Sequence, residues 1–189
     1  RLEADPIEWI KFFFSDYCKF EFADFHIKAI RRCIKHEEWF EVLSWARGLA
    51  KSTTVMFIIM YLALTKKKFN VMMASATQDS ATRLLDPYKK QFEENALIRA
   101  YYGVQVNLGN WCAEEFIAKC GCSFRAAGAG NAPRGSRNGA IRPDVLLVDD
   151  FDTDEAVRNP DTIDKNWRWW ESALYGTRDT AVKKLVIFC

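Results

Sequence analysis

The nine residues Trp45-Ala46-Arg47-Gly48-Leu49-Ala50-Lys51-Ser52-Thr53 constrain this chain most. They join a short strand pattern, Glu38 to Trp45, to a run that is apolar without a break from Val55 to Leu64. A strand-to-helix junction with Lys-Ser opening the helix has the lettering of a phosphate-gripping loop, or P-loop. Such a loop needs backbone N–H groups around the anion, a lysine for charge and a hydroxyl for Mg2+. Lys51, Ser52 and the amides of Gly48 to Ser52 meet those needs. Both glycines usual in such a loop are replaced, by Trp45 and Ala50. Taken alone, the segment also reads as an ordinary polar turn between a strand and a helix.

A second segment supplies what the first lacks. In Pro143-Asp144-Val145-Leu146-Leu147-Val148-Asp149-Asp150, four apolar residues end in a pair of carboxylates. This is the pattern of a Walker B strand, buried on both faces. Asp149 is then positioned to hold Mg2+, and Asp150 to align an attacking water. Asp150 is one methylene shorter than the glutamate common at that position, and Asp152 or Glu155 are candidates to compensate. Between the two segments lies a strand, Phe69 to Ala74, then the turn Ser75-Ala76-Thr77 with Thr77 as N-cap. A helix follows to about Leu85, and Pro87 interrupts or restarts it before Tyr88 to Ala100. Upstream of Asp144, Asn131 to Arg137 presents Arg134 in a loop of small residues. Reaching a neighbour's γ-phosphate, touching DNA phosphate and simple solvation all remain open for it.

The remaining pattern fixes the class. Pro6 to about Phe20 reads as an aromatic helix with Asp5 as N-cap, and Asp24 to His36 as a second helix. Phe40, Val42 and Leu43 are the expected core residues of the first strand. Tyr101 to Arg125 reads as short strands or hairpins, and Ala126 to Arg142 as a loop. Asn159-Pro160 caps a helix from Asp161 to about Tyr175, and Val182 to Cys189 is a final strand. Strands alternating with helices predict a three-layer α/β fold with a mainly parallel sheet. With 189 residues the chain forms one domain: helices over 1–36 and an α/β core over 37–189.

The net charge of +2 excludes a generalised polycation, but charge is segregated. Phe116 to Pro143 holds five basic residues and no acid, whereas Asp144 to Asp164 holds eight acids and one base. Of the six cysteines only Cys120 and Cys122 are close, with no second ligand pair at zinc-finger spacing, so free thiols are expected. The longest apolar run is too short to span a bilayer and no signal peptide is visible, consistent with a reducing cytoplasm. The chain starts at Arg1 and stops inside an apolar run at Cys189, the pattern of a piece of a longer protein.

In order and spacing these segments resemble the ATPase domain of viral large terminase subunits, the motors that pump double-stranded DNA into procapsids. The resemblance rests on Ala46-Arg47-Gly48-Leu49-Ala50-Lys51-Ser52, on Ala74-Ser75-Ala76-Thr77, on Arg134-Gly135 followed by the strand into Asp149-Asp150, and on Asn166-Trp167-Arg168-Trp169-Trp170. It covers roughly Phe25 to Cys189. It implies a P-loop NTPase of the RecA/helicase-like ASCE type. Arg47 then contacts the γ-phosphate, Lys51 the β/γ-phosphates, and Ser52 and Asp149 the Mg2+. Gly48, Leu49, Ala50 and Thr53 complete the ATP loop, Asp150 is the catalytic carboxylate, and Arg134 acts on a neighbouring subunit's ATP. Phe25 and His26 correspond to an adenine-contacting segment. Double-stranded DNA, a portal protein, a small terminase subunit and a homo-oligomeric ring are the implied partners, in the host cell cytoplasm. No nuclease carboxylate cluster is assignable, so this chain is not expected to cut DNA. A helicase-like ATPase and a nucleotide-dependent assembly module with little hydrolysis share most of these features.

Overall fold

In the computed structural model, residues 2–131, 137–151, 159–175 and 182–189 are described. α1 (Pro6–Phe13) opens on Asp5, whose carboxylate accepts from the Ile7 N–H at 2.9 Å. It ends seven residues before the expected limit. There the chain turns so that Phe14 and Tyr17 pack on Phe57, at 4.9 and 6.1 Å between ring centres. α2 (Asp24–Lys35) leads into β1 (Trp39–Val42), and α3 (Lys51–Leu64) follows the loop. Eleven of the fourteen α3 residues are buried, as its uniformly apolar sequence requires.

β2 (Asn70–Ser75) is followed by α4 (Gln78–Glu94), capped by Thr77, which accepts from the Ser80 N–H at 3.1 Å. Pro87 neither breaks nor restarts α4, which runs through it. The proline and the residue one turn earlier, Arg83, are both exposed, on the side where a carbonyl that loses its amide partner is open to solvation. Leu85, Tyr88 and Phe92 hold the buried face on both sides of it. α5 (Ala96–Tyr102), β3 (Glu115–Ile117) and β4 (Ser123–Gly128) follow. Then come β5 (Val145–Val148), α6 (Pro160–Trp169) with a π-helical turn at Trp170–Leu174, and β6 (Leu185–Phe188).

The six strands form one sheet in the order β1-β6-β5-β2-β4-β3, parallel except for β3. Alternate side chains serve two cores. Val71, Met73, Val145, Leu147, Leu185 and Ile187 pack with the large core that includes α1 to α5. Met72, Ala74, Leu146, Val148 and Val186 face Trp170 on the other side. Helices thus cover both faces, giving three layers. Asp144 locks the register at one end: its carboxylate accepts from the Phe69 and Asn70 N–H groups, each at 2.8 Å.

Two expected core residues are corrected. Phe40 and Val42 are 48% and 61% exposed. β1 is an edge strand, and among the described residues the rings that meet Phe40 are Phe188 and Trp170, at 5.5 and 6.4 Å. The opposite face of β1 buries Leu43 and, unexpectedly, Glu41, which is neutralised by the Arg32 guanidinium and held by the Trp39 indole at 2.6 Å.

Candidate functional site

The site forms at the carboxyl ends of β1 and β5, where open parallel sheets place their ligands. From β1 the chain passes through Trp45 into the 46–50 loop and directly into α3. Gly48 and Ala50 both take positive φ, 85° and 54°. Ala50 therefore adopts the left-handed conformation in which a glycine is usual, and its methyl side chain makes no capping bond to the helix start. The loop curls through both residues, and at Ala50 the strain falls on an alanine. Substituting Ala50→Gly is expected to stabilise the protein by about 0.5–1 kcal/mol, read as a rise in the urea midpoint at unchanged m.

The other replaced glycine has a different consequence. Trp45 is half-buried and meets Phe25 at 4.8 Å and His26 at 5.1 Å, both edge to face. His26 also bonds the loop itself. Its Nδ1 accepts from the Ala23 N–H at 3.2 Å, so its Nε2 carries the proton and donates to the Leu49 carbonyl at 2.9 Å. Nothing in the sequence signalled this bond from α2 to the loop.

Arg47, Gly48, Ala50, Lys51, Ser52 and Thr53 line a 440 Å³ cavity together with Ala46, Asp149 and Asp150. Phe25 and His26 stand behind the loop, packed on Trp45. Arg134 lies outside the described residues, as do Asp152 and Glu155. The Asn131 carbonyl accepts from the Trp169 indole at 2.8 Å, and the Asn131 side-chain amide donates to Gln78 at 3.1 Å.

One wall of the cavity is cationic and rich in N–H groups; the other is a carboxylate pair. Ser52 Oγ donates to Asp149 Oδ2 at 3.2 Å, across 97 residues of sequence. Asp149 is 5% exposed. Burial, and then the neighbouring Asp150 charge, raise its pKa above the ordinary carboxylate value, against the opposing pull of Lys51 and the Ser52 hydroxyl. Asp150 sits at φ 47°, a left-handed conformation that aspartate tolerates, and stays exposed at the cavity. Its carbonyl accepts from Ser75 Oγ at 3.3 Å, tying it to the end of β2. At the end of β6, burial pushes the Cys189 thiol up to about 12, and the Asp149 charge adds to this.

A buried carboxylate bonded to a hydroxyl and crowded by a second carboxylate fits a hard divalent cation that keeps most of its waters. The same crowding costs stability. Because the folded-state pKa of Asp149 is raised, its ionised form opposes folding above that pKa, and the penalty vanishes below the unfolded-state value. Asp149→Asn is therefore expected to stabilise the ligand-free protein at pH 7 by on the order of 0.5–2 kcal/mol. Urea unfolding at descending pH should show the advantage shrinking toward pH 4.

All six cysteines are free thiols. No helix among the described residues is long and apolar enough to cross a membrane.

No protein-family profile matches this chain, and no curated protein matches it. Among solved structures, the crystal structure of the HK97 bacteriophage large terminase has a similar fold, with a TM-score of 0.58 at 14% identity. The match covers 89% of this chain and 33% of that one, so the chain spans about a third of that protein's length. The likeness is one of fold alone, between this chain's mixed α/β domain and a phage large terminase.

Proposed function

We propose that this chain is the ATPase portion of a viral DNA-packaging motor, hydrolysing ATP to translocate double-stranded DNA. The observation that carries the reading is the cavity in which the Lys51-Ser52 loop from one strand meets Asp149 and Asp150 from another. The fold shared with a phage large terminase supports it. The triphosphate lies on the loop amides, with its β- and γ-oxygens against Lys51 and Arg47. Ser52 and Asp149 hold Mg2+, which screens phosphate charge when bound. Asp150 aligns water with the γ-phosphate and accepts its proton.

His26 keeps the loop curled through Leu49, so the amides need little reorganisation as charge develops. Phe25, beside it and 37% exposed, offers a ring to the adenine. Arg134 supplies γ-phosphate charge from a neighbouring copy in a ring, with a portal protein and a small terminase subunit as further partners in the host cytoplasm.

The test is Mg-ATP turnover measured over a wide range of protein concentration, with and without duplex DNA. Turnover per subunit that climbs with concentration is the expected result. Nucleotide binding without turnover in every assembled state would leave an assembly module instead.

A further inference from the structure

The outer face of α2 carries Lys28, Arg31, Arg32 and Lys35, at positions i, i+3, i+4 and i+7 of one helix, all exposed. The helix buries Ala29, Ile30 and Cys33 on its other side. No acid occurs between Asp24 and Glu37. Arg32 is paired with Glu41, but Lys28, Arg31 and Lys35 enter no ion pair among the described residues.

The stripe does not stop at the helix end. Lys35 borders a 590 Å³ cavity at the amino ends of β1, β2, β5 and β6, the opposite edge of the sheet from the 46–52 loop. Lys67, Lys68 and Lys183 also line it, against Glu37 and Asp144. Lys67 is steadied there by the Tyr61 hydroxyl at 3.2 Å, and Lys183 by Glu37. Lys68 is largely internal, donating to the Glu37 and Lys183 carbonyls at 2.8 and 2.6 Å. In a chain of net charge +2, this is a concentrated cationic track.

We infer that this track, from Lys28 along α2 to Lys35 and Lys67, is a phosphate-backbone contact surface for duplex DNA. Seven residues of helix space the unpaired cations over about 10 Å, a rigid line set against a backbone with one charge per ~1.7 Å of duplex axis. From Ile27 to Lys35 the helix carries no aromatic side chain to stack an unpaired base, which favours duplex over single strands. The contacts are to phosphate, so no base preference arises. The amino end of this helix bonds the Leu49 carbonyl through His26, so one rigid element touches both the loop and the DNA.

The partner is shared with the function proposed above, but the evidence is charge placement. The test is therefore run without nucleotide, where failure leaves the turnover reading intact. Fluorescence anisotropy of a 30-base-pair mixed-sequence duplex is followed against salt. The variant Lys28→Glu/Arg31→Glu/Lys35→Glu is expected to bind at least about 10-fold more weakly in 50 mM salt. Its log–log salt slope should fall by about 2–3. The glutamine triple should lie between it and the wild type, and thermal unfolding verifies that both are folded. Arg83→Glu/Lys90→Glu/Arg99→Glu, on α4 and α5, changes net charge equally and should retain most of the affinity. Equal loss in both reversal variants, loss in neither, or poly-glutamate binding the wild type as tightly as the duplex would each overturn the assignment.

Discussion

Lys51→Ala should lower Mg-ATP turnover by at least about 10²-fold and weaken nucleotide binding, with at most a small drop in the unfolding midpoint. Lys51 opens α3 with its side chain on the cavity, opposite Asp149 and Asp150. In the proposed mechanism its ammonium meets the charge that develops on the transferring phosphoryl group, and removing one such preorganised charge costs 10²–10³-fold or more. The same cation partly offsets the burial penalty on Asp149. Its loss therefore leaves a buried carboxylate less compensated and weakens the cation site too. Isothermal titration with a slowly hydrolysed ATP analogue, beside a turnover assay, separates binding from chemistry. Normal turnover in this variant would remove the 46–52 loop from the mechanism.

Asp150→Asn should cut turnover by about 10²–10⁴-fold with nucleotide affinity retained. The amide keeps the shape and the left-handed tolerance of aspartate, so the φ of 47° and the Ser75 bond to the main-chain carbonyl survive. What disappears is the proposed proton acceptor. Removing the Asp150 charge also relieves Asp149, whose carboxyl should then titrate closer to the ordinary carboxylate range. A drop in the rate constant without loss of affinity marks Asp150 as the group that acts on water. Unchanged turnover would transfer that role to another carboxylate, and Asp152 and Glu155 are the next to substitute.

Much of the frame was legible because local rules and tertiary packing agree. α3 opens at Lys51, one turn before its apolar run, and ends with that run at Leu64; Thr77, Asp5 and Asn159 cap as their chemistry dictates. Pro87 does not break α4 as expected, because a proline's penalty depends on whether the freed carbonyl faces solvent or protein, and Arg83 and Pro87 lie on the exposed side of the helix. Phe40 and Val42 were misread because alternation identifies two faces of a strand without saying which one the helices cover. Glu41 took the inner face because Arg32, nine residues earlier, neutralises it there.

The candidate site divides in the same way. Lys51-Ser52 and Asp149-Asp150 could be named from their neighbours along the chain, since each pair ends or begins a regular element. That they share one cavity depends on the strand order, which inserts β6 between β1 and β5. Trp45 and Ala50 looked like losses in the sequence; the fold gives Ala50 the left-handed turn and sets Trp45 under Phe25 and His26. The His26 bond to Leu49 and the cationic line along α2 are spatial facts. The first spans 23 residues, and the second appears only once one face of the helix is known to be bare. Sequence alone determined which residue types stand at the ends of which elements, because capping and periodicity act over a few residues. Only the tertiary structure decided which ends meet and which faces stay exposed, because those depend on contacts between segments far apart in the chain.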